Sequence, residues 1–168
     1  MKILYSSEEI QSKVSELAKE ISNDFRDKDV VLLGVLKGCL HFVSDIARKL
    51  DIQVSLEFIK SSSYGDSMTS SGNVTLSFDI PASLRNKHII ILEDIIDTGL
   101  TLNKIYSEVS LKNPESISVC ALLVKKDKHE FSHSIRYKGF EVDDSFIVGY
   151  GLDYNEKYRN FSDLRILS

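Results

Sequence analysis

The run Ile89-Ile90-Ile91-Leu92 leads straight into Glu93-Asp94-Ile95-Ile96-Asp97-Thr98-Gly99-Leu100-Thr101, and this passage constrains the fold more than any other. An unbroken β-branched apolar run opening at Lys87-His88 reads as a strand buried on both faces, the kind found in parallel sheets covered by helices. Leu102–Leu111 then reads as a helix, so the chain passes from strand to helix through Asp97-Thr98-Gly99. Such a turn offers backbone N–H groups and two hydroxyls at a helix N-terminus, the usual means of holding a phosphate. Carboxylates there would repel the anion unless they serve sugar hydroxyls, Mg²⁺ or a proton. A ribose phosphate meets all of these demands.

Blander readings of the same residues exist. Asp97 alone suits the N-cap of the helix that follows. An acidic pair after a strand also suits a phospho-acceptor receiver or a Mg²⁺-dependent phosphatase. What favours the ribose phosphate is the whole nine-residue string behind its β-branched run.

The rest of the chain supplies matching units. Ser6 with Glu9 makes a capping box, and Ile10, Val14, Leu17, Ala18 and Ile21 recur at helical spacing to about Phe25. Val30–Leu36 reads as a second buried strand, Cys39–Leu50 as a helix with Leu40, Val43, Ile46 and Ala47 inward, and Gln53–Ile59 as another strand. Ser61–Asn73 is polar and longer than most connections in compact domains, which suggests a functional lid or a disordered tip. Val74–Phe78 reads as a short strand. After the nine-residue string come the strand Ser116–Val124, a loose stretch to Val142, a short strand Phe146–Tyr150 and an irregular tail from Leu152. Alternating strands and helices imply an α/β fold with a mostly parallel twisted sheet, in one domain spanning 1–168, the C-terminal segment folded over its top.

Bulk properties exclude other classes. Twenty-one Lys and Arg against 25 Asp and Glu leave a net charge of −4, which argues against a nucleic-acid-binding surface. No apolar run approaches a membrane span, and Met1–Glu9 turns polar too soon for a signal peptide, so a cytoplasmic location is expected. Cys39 and Cys120 sit in apolar contexts as buried thiols, and the four scattered histidines suggest no zinc.

In open α/β sheets ligands bind outside the carboxyl ends of the strands. Lys37-Gly38, Ser63-Tyr64, Glu93–Thr101 and Lys125 each follow a different strand. Four strand ends therefore converge on one crevice.

The nine-residue string resembles the signature of the type I phosphoribosyltransferases, which bind 5-phosphoribosyl 1-pyrophosphate (PRPP). Leu36-Lys37-Gly38, Ser63-Tyr64-Gly65-Asp66, Leu122–Lys125 and Phe146–Arg159 extend the likeness to the purine-salvage branch of that family, over about Val30 to Arg159. The resemblance implies the type I fold with a small C-terminal hood over the active site. It implies Mg²⁺-dependent transfer of phosphoribose from PRPP to hypoxanthine or guanine, giving IMP or GMP and pyrophosphate. Asp97 would be the general base. Asp97, Thr98, Gly99, Leu100 and Thr101 would hold the 5′-phosphate, and Glu93 and Asp94 the ribose hydroxyls. Glu93, Asp94 and Asp153 would be Mg²⁺ ligands. Lys37, Gly38 and Arg159 would meet the pyrophosphate, with a peptide bond before Lys37 that can be cis. Lys125, Phe146, Ile147 and Asp153 would surround the purine, while Ser63 and Tyr64 belong to the lid. A homodimer or homotetramer is also implied, and neither nucleic acid nor a membrane is expected as a partner.

Two rivals keep the same fold. A regulator that senses PRPP while binding nucleic acid would need a broad basic surface or an added module. A sister enzyme acting on xanthine and guanine fits the Phe146–Arg159 segment less well.

Overall fold

The structure is a computed structural model that describes residues 1–60, 62–63, 76–77, 79–126 and 129–167. Its elements in chain order are β1 (Lys2–Tyr5), α1 (Ser7–Asp24), β2 (Val30–Leu36), α2 (Leu40–Lys49), β3 (Val54–Lys60), β4 (Ser62–Ser63), β5 (Leu76–Ser77), β6 (His88–Ile96), α3 (Leu100–Ser110), β7 (Ser116–Lys125), β8 (Tyr137–Val142), β9 (Ile147–Val148) and β10 (Leu164–Ile166). A 3₁₀ turn at Ala82–Leu84 precedes β6.

Five strands form the main sheet in the order β3-β2-β6-β7-β8, every neighbouring pair parallel. Their apolar runs are buried on both faces because the two faces meet different layers. Val30 and Leu32 of β2, Ile90 and Leu92 of β6 and Cys120 and Leu122 of β7 pack with α1 and α2. The intervening Val31, Leu33, Ile89, Ile91, Val119 and Ala121 pack with Leu102, Ile105 and Val109 of α3. The chain runs from β2 outward to β3, then resumes on the other side of β2 with β6. Strand order therefore reverses between β2 and β6, the position where an open parallel sheet leaves a crevice at its carboxyl edge.

A second sheet, antiparallel in the order β1-β10-β9, lies over that edge as a hood. Its Ile147, Tyr150, Leu152 and Leu164 belong to the same apolar cluster as α1 and α2, so it is fused to that layer.

Some expectations hold and several shift. The capping box forms, with Glu9 N–H donating to Ser6 Oγ at 3.2 Å and Ser6 N–H to Glu9 Oε2 at 2.8 Å. In α2, Leu40 is exposed and Phe42 fills the core instead. β6 runs four residues past its apolar run, so the acidic pair lies on the strand itself. Strands also fall where none was expected, among them β1, and β8 in the loose stretch before Val142. The strand expected at Phe146–Tyr150 is cut to two residues by left-handed backbone at Gly149, Tyr150 and Gly151. The tail, expected to be irregular, contributes β10. Of Ser61–Asn73, only Ser62 and Ser63 are described, and of Val74–Phe78 only β5, which pairs antiparallel with β4. Both cysteines are buried free thiols. Among the described residues, no helix is long and apolar enough to cross a membrane.

Candidate active site

The turn after β6 opens a helix N-terminus onto a cavity. Helix α3 starts from Gly99, left-handed at φ +80°, which has no side chain to cap it. A Cβ there would come within 2.9 Å of the Phe131 backbone nitrogen, so the position needs glycine. Asp97 is therefore not the helix cap. The Leu100 N–H donates to Thr98 Oγ1 at 3.4 Å. Thr98, Gly99, Thr101 and Leu102 line a cavity of about 240 Å³ that also touches Gly38, Glu93, Asp94 and Asp97. Uncapped N–H groups at the positive end of a helix, open to a cavity, favour a bound anion.

Glu93 and Asp94 form the floor. Glu93 is 7 % exposed, and burial together with the neighbouring Asp94 charge raises its carboxyl well above the usual range. Burial also lifts Asp94 to about 6, although the Ile95 N–H donates to its Oδ1 at 2.9 Å and Arg159 pulls the other way. Two adjacent carboxylates that resist full ionisation gain from a positive charge between them. As hard oxygen donors they fit Mg²⁺. Among the described residues no group of three or more His, Cys, Asp or Glu is gathered to hold a metal. Asp153 stands apart, accepting from the Glu156 N–H at 2.8 Å and paired with Arg159 at 2.9 Å.

A second cavity of about 360 Å³ adjoins the first and shares Gly38, Asp94, Ile95 and Asp97 with it. Its far side is Lys125, Phe146, Ile147, Leu152, Asp153 and Arg159. Lys125, at the end of β7, is only 8 % exposed; its ammonium lies 3.4 Å from Asp97 and 3.3 Å from Asp144. Phe146 is 52 % exposed, set edge-on against Tyr154 with ring centres 5.7 Å apart. Ile147 is buried in β9, opposite Ile166 of β10. A half-exposed aromatic plane beside a sequestered ammonium suits a flat ring carrying a hydrogen-bond acceptor.

The loop after β2 closes the crevice from the other side. Its Leu36–Lys37 peptide is cis. Gly38 leaves room for Asp94, since a Cβ would sit 1.8 Å from Asp94 Oδ2 and the carboxylate would have to shift. A Cβ on Gly151 would in turn sit 2.0 Å from the Gly38 carbonyl oxygen, so the hood rests directly on this loop. Lys37 Nζ meets Glu156 Oε2 at 2.8 Å. Arg159 donates to the Gly151 carbonyl at 2.7 Å and pairs with Asp153 and Glu156, while its buried Nε has no partner among the described residues.

The family model of the phosphoribosyl transferase domain matches residues 1–155. The hypoxanthine-guanine phosphoribosyltransferase of Bacillus subtilis is 41 % identical over 166 residues, covering 99 % of this chain and 92 % of the relative. That of Mycobacterium tuberculosis is 40 % identical over 166 residues, covering 95 % and 82 %. The chain belongs to the hypoxanthine-guanine phosphoribosyltransferase family. A crystal structure of the Bacillus anthracis member superposes with a TM-score of 0.90 at 37 % identity, covering 100 % of this chain and 99 % of that one. Membership makes this chain a pentosyltransferase with the type I phosphoribosyltransferase fold.

In this phosphoribosyltransferase the residues singled out from the sequence gather in the two adjoining cavities. Leu100 is an exception, being exposed as the first residue of α3. Ser63 lies in β4, and Tyr64 lies outside the described residues. Three residues at the site escaped sequence reading: Asp144, the second partner of Lys125; Glu156, which joins Lys37 to Arg159; and Gly151, on which the hood rests. Left-handed Gly151, two residues after another glycine, carried the only local signal, a chain reversal.

Proposed function

We propose that this enzyme transfers the 5-phosphoribosyl group of PRPP to N9 of hypoxanthine, and of guanine, in a Mg²⁺-dependent purine-salvage reaction yielding IMP or GMP and pyrophosphate. The observation that carries the reading is the shared wall of the two cavities. One cavity presents an uncapped helix N-terminus for a phosphate, and the other presents Phe146 and Lys125 for a 6-oxopurine. Between them stand Asp94 and Asp97, where a sugar bridging both would react.

The first turn of α3, with Thr98, Gly99, Leu100 and Thr101, takes the 5′-phosphate. Glu93 and Asp94 meet the ribose hydroxyls and, like Asp153, would serve as Mg²⁺ ligands. When bound, the metal offsets charge on the diphosphate leaving group. Lys37 and Arg159 neutralise that group further, and Gly38 lets its oxygens approach the backbone. Phe146 stacks on the base, Lys125 donates to its O6, and the backbone at Ile147 reads its edge. The bond from ribose C1′ to pyrophosphate oxygen breaks, its electron pair leaving with the pyrophosphate, and C1′ bonds to N9. Asp97 takes the N7 proton. The unit acts as one domain over 1–168, in the cytoplasm, as a homodimer or homotetramer.

A pyrophosphate-release assay with PRPP, Mg²⁺ and hypoxanthine, guanine, xanthine, adenine or uracil tests the reading. Release is expected with hypoxanthine and guanine and should vanish with a chelator. Equal turnover of adenine, or release indifferent to the base supplied, overturns it.

A further inference from the structure

Residues Tyr154 to Lys157 form a two-residue turn, the Tyr154 N–H donating to the Lys157 carbonyl at 3.1 Å and the Lys157 N–H to the Tyr154 carbonyl at 3.0 Å. Both central residues are left-handed, Asn155 at φ 50° and Glu156 at φ 61°. Tight turns of this kind favour Asn followed by Gly, because a side chain on the second residue is strained. Here the second residue is a glutamate. Its side chain is mostly exposed, so burial of apolar surface does not explain it. What it gains is a bridge: Oε2 lies 2.8 Å from Lys37 Nζ and Oε1 lies 3.3 Å from an Arg159 nitrogen. One carboxylate thus holds, one oxygen each, the two cations assigned above to the pyrophosphate of PRPP. Lys37 first, and then Arg159, hold its carboxyl below the ordinary range.

We infer that Glu156 is a placeholder for the pyrophosphate group, occupying its cations in the ligand-free enzyme and setting how tightly PRPP and pyrophosphate are held. This rests on the assignment of Lys37 and Arg159 to pyrophosphate. An anion that must be displaced on binding weakens the ligand by what the displaced contacts were worth. The same anion, returning, speeds product departure. It also keeps two neighbouring cations oriented and screened from each other while the site is empty. A left-handed glutamate supplies this at a local cost in backbone strain, which a glycine would spare.

The test uses Glu156→Gln, which keeps the turn and removes the charge, and Glu156→Gly, which also relieves the strain. An exposed ion pair is worth up to about a fivefold change in an equilibrium, so losing two sets the expected effect at about three- to tenfold. Calorimetric titration with pyrophosphate and MgCl₂ should show both variants binding that much more tightly than the wild type. KM for PRPP should fall in step while KM for hypoxanthine stays unchanged. In a Lys37→Met background the gain from Glu156→Gln should shrink by at least half, as expected of residues that act through each other. An undiminished gain there would mark a diffuse charge effect and sink the placeholder role. So would wild-type affinity in both single variants. Failure of the wild type itself to bind pyrophosphate would instead overturn the assignment of Lys37 and Arg159.

Discussion

Lys125 and Asp97 face each other across 3.4 Å, a nearly buried ammonium at the end of β7 against an exposed carboxylate at the end of β6. Asp144 holds the same ammonium from the hood side at 3.3 Å. The proposed reader of the base and the proposed general base are thus in direct contact before any substrate arrives. Each fixes where the other stands.

Asp97→Asn should keep PRPP affinity, because the amide preserves the shape of the turn and α3 starts from Gly99 without its help. Losing a general base typically costs about 10²–10⁴-fold in rate, and the loss should fall on kcat. Pre-steady-state and equilibrium binding measurements separate the two. Wild-type turnover by the variant would leave Asp97 without a chemical role.

Lys125→Met should lose activity on hypoxanthine and guanine together and narrow the gap to adenine. A 6-oxo group accepts from the ammonium, whereas the 6-amino group of adenine leaves two donors facing each other. Unpaired polar groups of this kind discriminate by about 10⁴–10⁵-fold, far beyond a steric misfit. The check is kcat/KM for the three bases on both proteins. Adenine use within tenfold of hypoxanthine by the wild type would exclude Lys125 as the reader.

Gly38→Ala should fold and fail. Its new methyl group would lie 1.8 Å from Asp94 Oδ2, so the carboxylate must move, breaking its bond from the Ile95 N–H. Overpacking of this kind costs about 1–3 kcal/mol in stability. A misplacement of about 1 Å at a reacting centre can cost about 10²-fold in rate. Thermal melting with steady-state kinetics in PRPP reads both; full activity would show that the Asp94 position is unimportant.

Tyr150→Phe probes the anchor of the hood. The Tyr150 hydroxyl donates to Asp45 Oδ2 of α2 at 2.6 Å, and Gln11 of α1 donates to the same oxygen at 2.7 Å. Burial pushes the Asp45 carboxyl upward, yet bonds from Tyr150, Gln11 and Arg48 outweigh it and hold the group below 3.8. Removing the hydroxyl should cost about 1.5–3 kcal/mol near pH 7, the range for a hydrogen bond to a charged group. A depressed carboxyl binds fewer protons folded than unfolded, so its contribution is present above pH 3.8 and lost as pH falls through the folded value. The difference between wild type and variant in urea unfolding should therefore narrow below that pH. A constant difference down to strong acid would detach Tyr150 from the Asp45 charge.

The parallel sheet was legible because its strands are buried on both faces, which makes β2 and β6 unbroken apolar runs. The turn from β6 into α3 was legible because Thr98, Gly99, Leu100 and Thr101 are contiguous in the chain. Strand β8 was not, because it lies at the sheet edge and its Gly139 is dictated by contact with the Leu122 carbonyl, across the sheet. Leu40 was misplaced since a ten-residue helix, α2, offers too few turns to fix its phase when Phe42 competes for the core. Glu156 and Asp144 were invisible for another reason. Their partners Lys37 and Lys125 are far away in sequence, and only the folded hood brings them together.

The hood is joined by β1 and β10, segments at opposite reaches of the sequence, with Lys2 opposite Ile166. Contacts between such distant residues carry a large loop-closure cost and form slowly, whereas β2, α2 and β3 are neighbours in the chain. The β2–α2–β3 part of the main sheet can therefore assemble while the hood is still open. The same order, reversed, predicts that the hood strands loosen ahead of β2 and β6 under stress, despite the apolar residues that join the hood to α1 and α2. Hydrogen exchange should find the amides of β1, β9 and β10 opening ahead of those in β2 and β6. On the proposed assignment, an enzyme partly unfolded in this way would keep the cavity meant for the sugar phosphate after losing the wall meant to choose the base.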